Sequence, residues 1–218
     1  HLTVGDLTEN PAVPYEDDFC TRVIIDGLND YYYEKFRNMT LGDLREYLMD
    51  CHTSGNDIRI LSSGFCSEVI AGLAKIMSNM DLAYTSKKII VTGKANTEVG
   101  RPEILAFRSQ PNHPTDDIDG IMLAVLEGIA YGCGDAMIGV NPVEDNVENT
   151  KRIANAVYTF MEDWSCPTQT SVLSHITTQM QAVKEGAPLS LFFQSIAGTE
   201  PALRAFGITT EMLDEADD

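Results

Sequence analysis

The spacing of apolar positions changes near residue 100. Before it, apolar residues recur at three and four positions. Val69, Ile70, Leu73, Ile76 and Met77 predict one helix from Glu68 to Leu82. Thr40-Leu-Gly-Asp43 predicts a capping box ahead of Leu44, Tyr47 and Leu48. Glu16-Asp17-Asp18 precede the apolar Val23-Ile24-Ile25, and acidic side chains suit the positive end of a helix. Ile89-Ile90-Val91 reads as a short strand or extended segment.

From Ile104 onward, short apolar runs alternate with helical patterns. The runs are Ile104 to Asn112, Ala136 to Pro142, Ser171 to His175 and Leu189 to Ser195. The intervening helices are expected at Asp116–Tyr131, ended by Gly132 and Gly134, then at Asn146–Trp164, Thr177–Glu185 and Glu200–Leu213. Each apolar run ends in a polar cluster. Polar groups at the C-terminal ends of successive strands are the hallmark of a TIM (β/α)8 barrel. An open doubly wound sheet needs only one or two such ends, and no Gly-x-Gly-x-x-Gly follows any strand. The fold class expected is therefore α/β, a TIM (β/α)8 barrel. Its domains are an N-terminal helical region over 1–100 and the first half of a barrel over 101–218. Four strands fall short of the eight that close a barrel, so about four βα units are expected here. The chain opens at His1 and stops within an acidic helical pattern, and both ends read as cuts or limits of order.

The strand ends carry the candidate chemistry. Arg108 and Gln110 lie two apart, so both side chains face one side of the sheet. A buried guanidinium needs acceptors, which either a ligand oxygen or a structural carboxylate supplies. Asn141 either holds a small polar ligand or caps the next helix. His175 is either a base or a hydrogen-bonded structural residue. Gln194 and Ser195 repeat the Arg108/Gln110 placement, and Ser195 also suits an N-cap. Glu144, Asp145 and Glu148 read as favourable charge at a helix start.

Charge narrows the partners. The 218 residues hold 15 Lys plus Arg against 33 Asp plus Glu, a net charge of −18. Phosphate binding depends on clustered Lys and Arg, so neither nucleic acid nor an anionic membrane is an expected partner. Five cysteines form no Cys-x-x-Cys or His/Cys cluster, which argues for reduced thiols in a cytoplasm and for no metal site.

Eight strings, in order along the whole chain, resemble the ethanolamine ammonia-lyase large-subunit family. They are Tyr15-Glu-Asp-Asp18, Ser67-Glu-Val69, Lys94-Ala-Asn96, Arg108-Ser-Gln110-Pro-Asn112, Gly139-Val-Asn141-Pro142-Val-Glu-Asp-Asn-Val-Glu-Asn149, His175-Ile-Thr-Thr-Gln179, Phe193-Gln194-Ser195-Ile-Ala-Gly198 and Met212-Leu-Asp-Glu-Ala216. The resemblance implies an adenosylcobalamin-dependent radical lyase that converts ethanolamine to acetaldehyde and ammonia. It implies a small subunit as partner, a homo-oligomer of large/small pairs, and a cytoplasmic setting inside a bacterial microcompartment. Carried over by residue, Arg108, Ser109, Gln110 and Asn141 would bind substrate, with Arg108 and Asn141 on its hydroxyl and Gln110 on its amino group. Pro142, Gln194 and Ser195 would contact the cobalamin cofactor.

Two departures stand out. The family's catalytic glutamate and a second acidic ligand lie beyond the region that Asp218 ends, so no catalytic residue is expected in this chain, which is expected to be inactive alone. The family can carry an acidic residue before the phenylalanine matched by Phe206, where this chain has Ala205. Rival readings are a cobalamin-independent barrel lyase or aldolase, and a non-catalytic acidic scaffold. The second conflicts with placing Arg108, Gln110 and Asn141 inside a barrel, where unused polar groups are costly.

Overall fold

A computed structural model describes residues 1–193 and 198–217. The chain divides into two compact units, His1–Ile90 with Ala197–Thr209, and Val91–Ile196 with Thr210–Asp218.

The first unit is helical: α1 (Val4–Thr8), α2 (Phe19–Asp26), α3 (Asp30–Phe36), α4 (Leu41–Met49), α5 (Gly55–Leu61), α6 (Ser67–Ile76) and α7 (Asn79–Lys88), with a later helix, Glu200–Ala205. Its core gathers Val4, Phe36, Leu41, Leu44, Leu48, Ile58, Leu61, Val69 and Leu73. Short polar side chains start these helices. Thr3, Ser54 and Ser78 form reciprocal capping boxes with Asp6, Asp57 and Asp81. At Thr40 only half the box forms: Thr40 Oγ1 accepts from the Asp43 amide, and its hydroxyl donates to the Asp43 carboxylate. The single helix expected over Glu68–Leu82 is in fact α6 and α7. Ser78 caps a new helix, and the Asp81 carboxylate is held by the Ser78 amide and by Arg45 at 2.6 Å. A local cap here overrides an apolar period that runs through the break.

Asp18 is fully buried and caps two helices. One oxygen accepts from the Thr21 amide and hydroxyl at the start of α2, at 2.7 and 3.0 Å, and the other accepts from the Glu200 amide at 2.7 Å. Burial raises its pKa, but these amides and the Thr21 hydroxyl outweigh that and leave it below the usual carboxylate range.

The second unit opens with an antiparallel hairpin, β1 (Gly93–Lys94) and β2 (Glu98–Val99). Then strands and helices alternate: β3 (Arg108–Ser109), α8 (Ile118–Ala130), β4 (Met137–Val140), α9 (Val147–Trp164), β5 (Thr170–Val172) and α10 (Ile176–Lys184). Glu200–Ala205 is numbered α11, and Thr210–Asp217 is α12. The three longer-range strands are parallel, in the order β3-β4-β5. Ile138, Val140 and Val172 pack with Ile121 and Val125 of α8 and Ile153, Ala154 and Val157 of α9. The class is α/β, and among the described residues the sheet is open.

Two strand expectations change. The first run forms a strand only at Arg108–Ser109, while Ile104, Leu105 and Phe107 are exposed. The run from Leu189 forms no strand among the described residues. Instead the Ser190 and Leu191 amides both donate to the Thr170 carbonyl, at 3.0 and 3.1 Å. Two donors on one acceptor break the ladder register that a strand requires.

Replacing Asp18 with Ala should remove both caps and cost about 2 kcal/mol, since each cap contributes roughly 1 kcal/mol. Urea unfolding of the Asp18→Ala chain checks this, and an unchanged midpoint would refute it.

Candidate active site

Alternation divides the side chains of the parallel sheet. Ile138 and Val140 face the helices, so Met137, Gly139 and Asn141 face away. A Cβ built on Gly139 would lie 3.1 Å from Arg108 Nε and 3.3 Å from Leu173 Cδ1. Arg108 and Leu173 therefore share that outer face. Ser109 points the other way: its Oγ would lie 2.8 Å from a Cβ on Gly128 of α8.

Arg108 is half-buried, and its Nε and Nη2 are buried without a hydrogen-bond partner among the described residues. Among those residues no carboxylate pairs with it. Its guanidinium sits over the Phe193 ring, 4.5 Å from the centroid. A charged donor left unpaired and buried costs more than the roughly 1 to 3 kcal/mol of a neutral one. Such a group is set for an acceptor from outside the described chain.

Gln110 and Asn141 are exposed, and neither side-chain amide has a hydrogen-bond partner among the described residues. The Asn141 amide donates to the Pro111 carbonyl at 3.1 Å, which ties the two strand ends together. Helix α9 is capped by Asn146, whose Oδ1 accepts from the Asn149 amide at 2.8 Å. The capping role left open for Asn141 thus belongs to Asn146. Pro142 follows, half-buried, as β4 ends. Gln194 and Ser195 lie outside the described residues.

The loop after β4 is held by a residue that the sequence reading passed over. Asp116 is 3 % exposed and has φ +50, a backbone region that Asp tolerates better than most residues. Its carboxylate accepts from the Val143 amide (2.9 Å), the Glu144 amide (2.9 Å) and Asn149 Nδ2 (2.7 Å). Arg152 donates to the Asp116 carbonyl and to Asn149 Oδ1. Burial pushes the Asp116 pKa up, but the Glu144 and Val143 amides and Asn149 pull harder and hold it low. In sequence Asp116 is only one more acid before a helix.

Other strand-end groups are also structural. Asp145 accepts from the His175 amide at 2.8 Å, linking the β4 loop to the start of α10. His175 caps that helix, and its Nδ1 lies 2.8 Å from Thr177 Oγ1. Gln179, fully buried, donates to the Phe193 carbonyl at 3.0 Å and accepts from its amide at 3.3 Å, so it sets the ring under Arg108. The opposite end of the sheet is covered. Gln169 bonds to the Thr97 amide at 2.7 Å and the Ala136 carbonyl at 2.6 Å, fastening the hairpin below β4 and β5. Elsewhere, Asp50, Cys51 and His52 hold donor atoms within 4.8 Å of one another, a grouping the sequence reading also missed. All three are exposed.

The α/β unit thus carries polar groups that are unpaired among the described residues at the C-terminal ends of its parallel strands. Comparison with known proteins shows its family. The family model described as "Ethanolamine ammonia lyase large subunit (EutB)" matches residues 1–218. The chain is 46% identical over 215 residues to the ethanolamine ammonia-lyase large subunit of Escherichia coli (strain K12), covering 99% of this chain and 48% of that protein. The same identity and coverage hold for the large subunit of Salmonella typhimurium. The chain belongs to the ethanolamine ammonia-lyase large-subunit family, and it spans about half the length of the curated relatives it matches.

The low pKa of Asp116 gives a sign for acid sensitivity. Its ionised form is favoured in the fold, so its contribution is complete above the ordinary carboxylate pKa and is lost as pH falls through the lowered folded value. Asp116→Asn should remove that part of the acid slope and destabilise the protein by about 2 kcal/mol, the penalty for disrupting a buried hydrogen-bonded group. Denaturation series across acidic pH check both; parallel slopes for wild type and variant would refute the assignment.

Proposed function

We propose that this chain forms the N-terminal part of a (β/α)8-barrel large subunit that converts ethanolamine to acetaldehyde and ammonia with adenosylcobalamin. Family membership and the unpaired guanidinium of Arg108 support the reading. Residues 1–100 would be an N-terminal helical region and 101–218 the first barrel half. The Ser190 and Leu191 amides would then fasten the segment after α10 beside Thr170 of β5 without forming a strand there.

The free polar groups suit an amino alcohol. Arg108 can only donate, so it would bind the substrate hydroxyl oxygen and not an ammonium group. The Asn141 amide would hold the same hydroxyl. The Gln110 carbonyl would accept from the amino group. Ser109, whose side chain faces α8, would take part through its main chain. Bound adenosylcobalamin supplies the radical chemistry of the rearrangement. Pro142 offers that cofactor a half-buried ring at the open strand end, and Gln194 and Ser195 would add polar contacts. The protein's own work is to bind, orient and shield the substrate.

The small subunit and further large/small pairs are the proposed partners, and a bacterial microcompartment the proposed setting. No described helix is long and apolar enough to cross a membrane.

The direct test is cofactor-dependent release of acetaldehyde by the full-length large subunit co-expressed with its small subunit. Arg108→Ala should lower kcat/KM by at least about 30-fold, equivalent to roughly 2 kcal/mol for a lost charged hydrogen bond. An unchanged kcat/KM would remove Arg108 from the site. Asn141→Ala should weaken substrate handling while cobalamin binding stays nearly intact; equal loss of both would make Asn141 structural.

A further inference from the structure

Ser171, on β5, is 1 % exposed, and its Oγ has no hydrogen-bond partner among the described residues. Apart from Arg108 Nε and Nη2, it is the buried side-chain polar atom left in that state among them. The register explains why these groups belong together. Ser171 pairs with Gly139 of β4, and Arg108 with Met137. Continuing the β3–β4 register by one residue brings Gln110 beside Gly139. Gln110, Gly139 and Ser171 thus form one row across the outer face, with strands about 4.8 Å apart. Arg108 leans over the middle of that row, where a Cβ on Gly139 would meet its Nε at 3.1 Å.

We propose that Ser171 is a further substrate-binding residue, whose hydroxyl oxygen accepts a hydrogen bond from the substrate's own hydroxyl. A guanidinium bound to a hydroxyl oxygen is a donor only, so the hydroxyl hydrogen turns to an acceptor, a place the Ser171 hydroxyl can share with the Asn141 carbonyl. Ser171 Oγ has no hydrogen-bond partner among the described residues, sits on the face that carries Arg108, and lies on the far side of Gly139 from Gln110. The missing side chain at Gly139 is what lets Arg108 Nε and Leu173 Cδ1 close over the middle of the row, since a Cβ there would lie 3.1 and 3.3 Å from them. The ligand class is a small amino alcohol, with its amino end toward Gln110 and its hydroxyl toward Ser171 and Arg108. A buried hydroxyl without a protein partner is unfavourable for folding alone, which separates a binding role from a structural one.

This inference rests on the proposed amino-alcohol lyase activity, and one experiment separates the two. Wild type and Ser171→Ala are compared as the full-length large subunit with its small subunit and adenosylcobalamin, together with melting temperatures without substrate. The expected result is a KM for ethanolamine raised about tenfold, kcat changed less than about threefold, and a melting temperature equal to or above wild type. An active wild type with an unchanged KM in the variant overturns the role of Ser171 and leaves the proposed function standing. A raised KM with a lowered melting temperature assigns the hydroxyl to a structural bond and also overturns it. A wild type that neither turns over nor binds ethanolamine overturns both. Should Ser171→Ala fail to assemble, Ser171→Cys, similar in size but a weak acceptor, decides by the same KM criterion.

Discussion

The carboxylate of Asp116 is the constraint on which the C-terminal edge of the sheet depends. Three donors converge on it from the loop after β4 and from α9. That loop must turn sharply after Pro142 to return along α9, and its amides would otherwise be left without acceptors. One buried acceptor satisfies two of them and also fixes Asn149. Asn141, two residues before the first of those amides, is thereby held at the strand end, its side chain without a hydrogen-bond partner among the described residues. A positive φ at Asp116 is the local strain that this arrangement carries.

The two ends of the sheet have opposite character, and this gives the unit its polarity. Below β4 and β5, Gln169 and the β1–β2 hairpin satisfy one another closely, with Asn96 adding a 3.0 Å bond to the Thr168 carbonyl. At the other end, Arg108, Gln110 and Asn141 are left without side-chain hydrogen bonds among the described residues. In the proposed function, the end with unsatisfied groups is the one that takes the ligand. The positioning residues around that edge are polar but saturated: Asp145 serves the His175 amide, and Gln179 serves both main-chain groups of Phe193. Whether a polar residue is saturated is what separates support from candidate contact.

Much of this was legible in the chain. The alternation from Ile104 onward corresponds to β3, α8, β4, α9, β5 and α10, and the strand-end polar residues were visible as types in the right places. Three features were not. The break between α6 and α7 hides behind a continuous apolar period, because Met77 is core and Ser78 is cap within two residues. Asp116 looks like a helix-start acid, because nothing local reveals that its partners lie about thirty residues on. Ser171 looks like an ordinary strand serine, because only the register puts it beside Gly139.

The sequence by itself determined the α/β order, the helical character of the first ninety residues and, through its collinear motifs, the family. Those depend on local period, caps and residue identity, which are written along the chain. The tertiary structure decided which polar groups have partners. Asn141 and Asn146 are the same residue type near the same loop, yet Asn146 caps α9 while the Asn141 side chain has no hydrogen-bond partner among the described residues. His175 and Asp145 became structural, while Arg108 and Ser171 were left with unmet hydrogen-bonding capacity among the described residues. Partnership depends on what other strands and loops bring within about 3 Å, a distance that no spacing along the chain encodes.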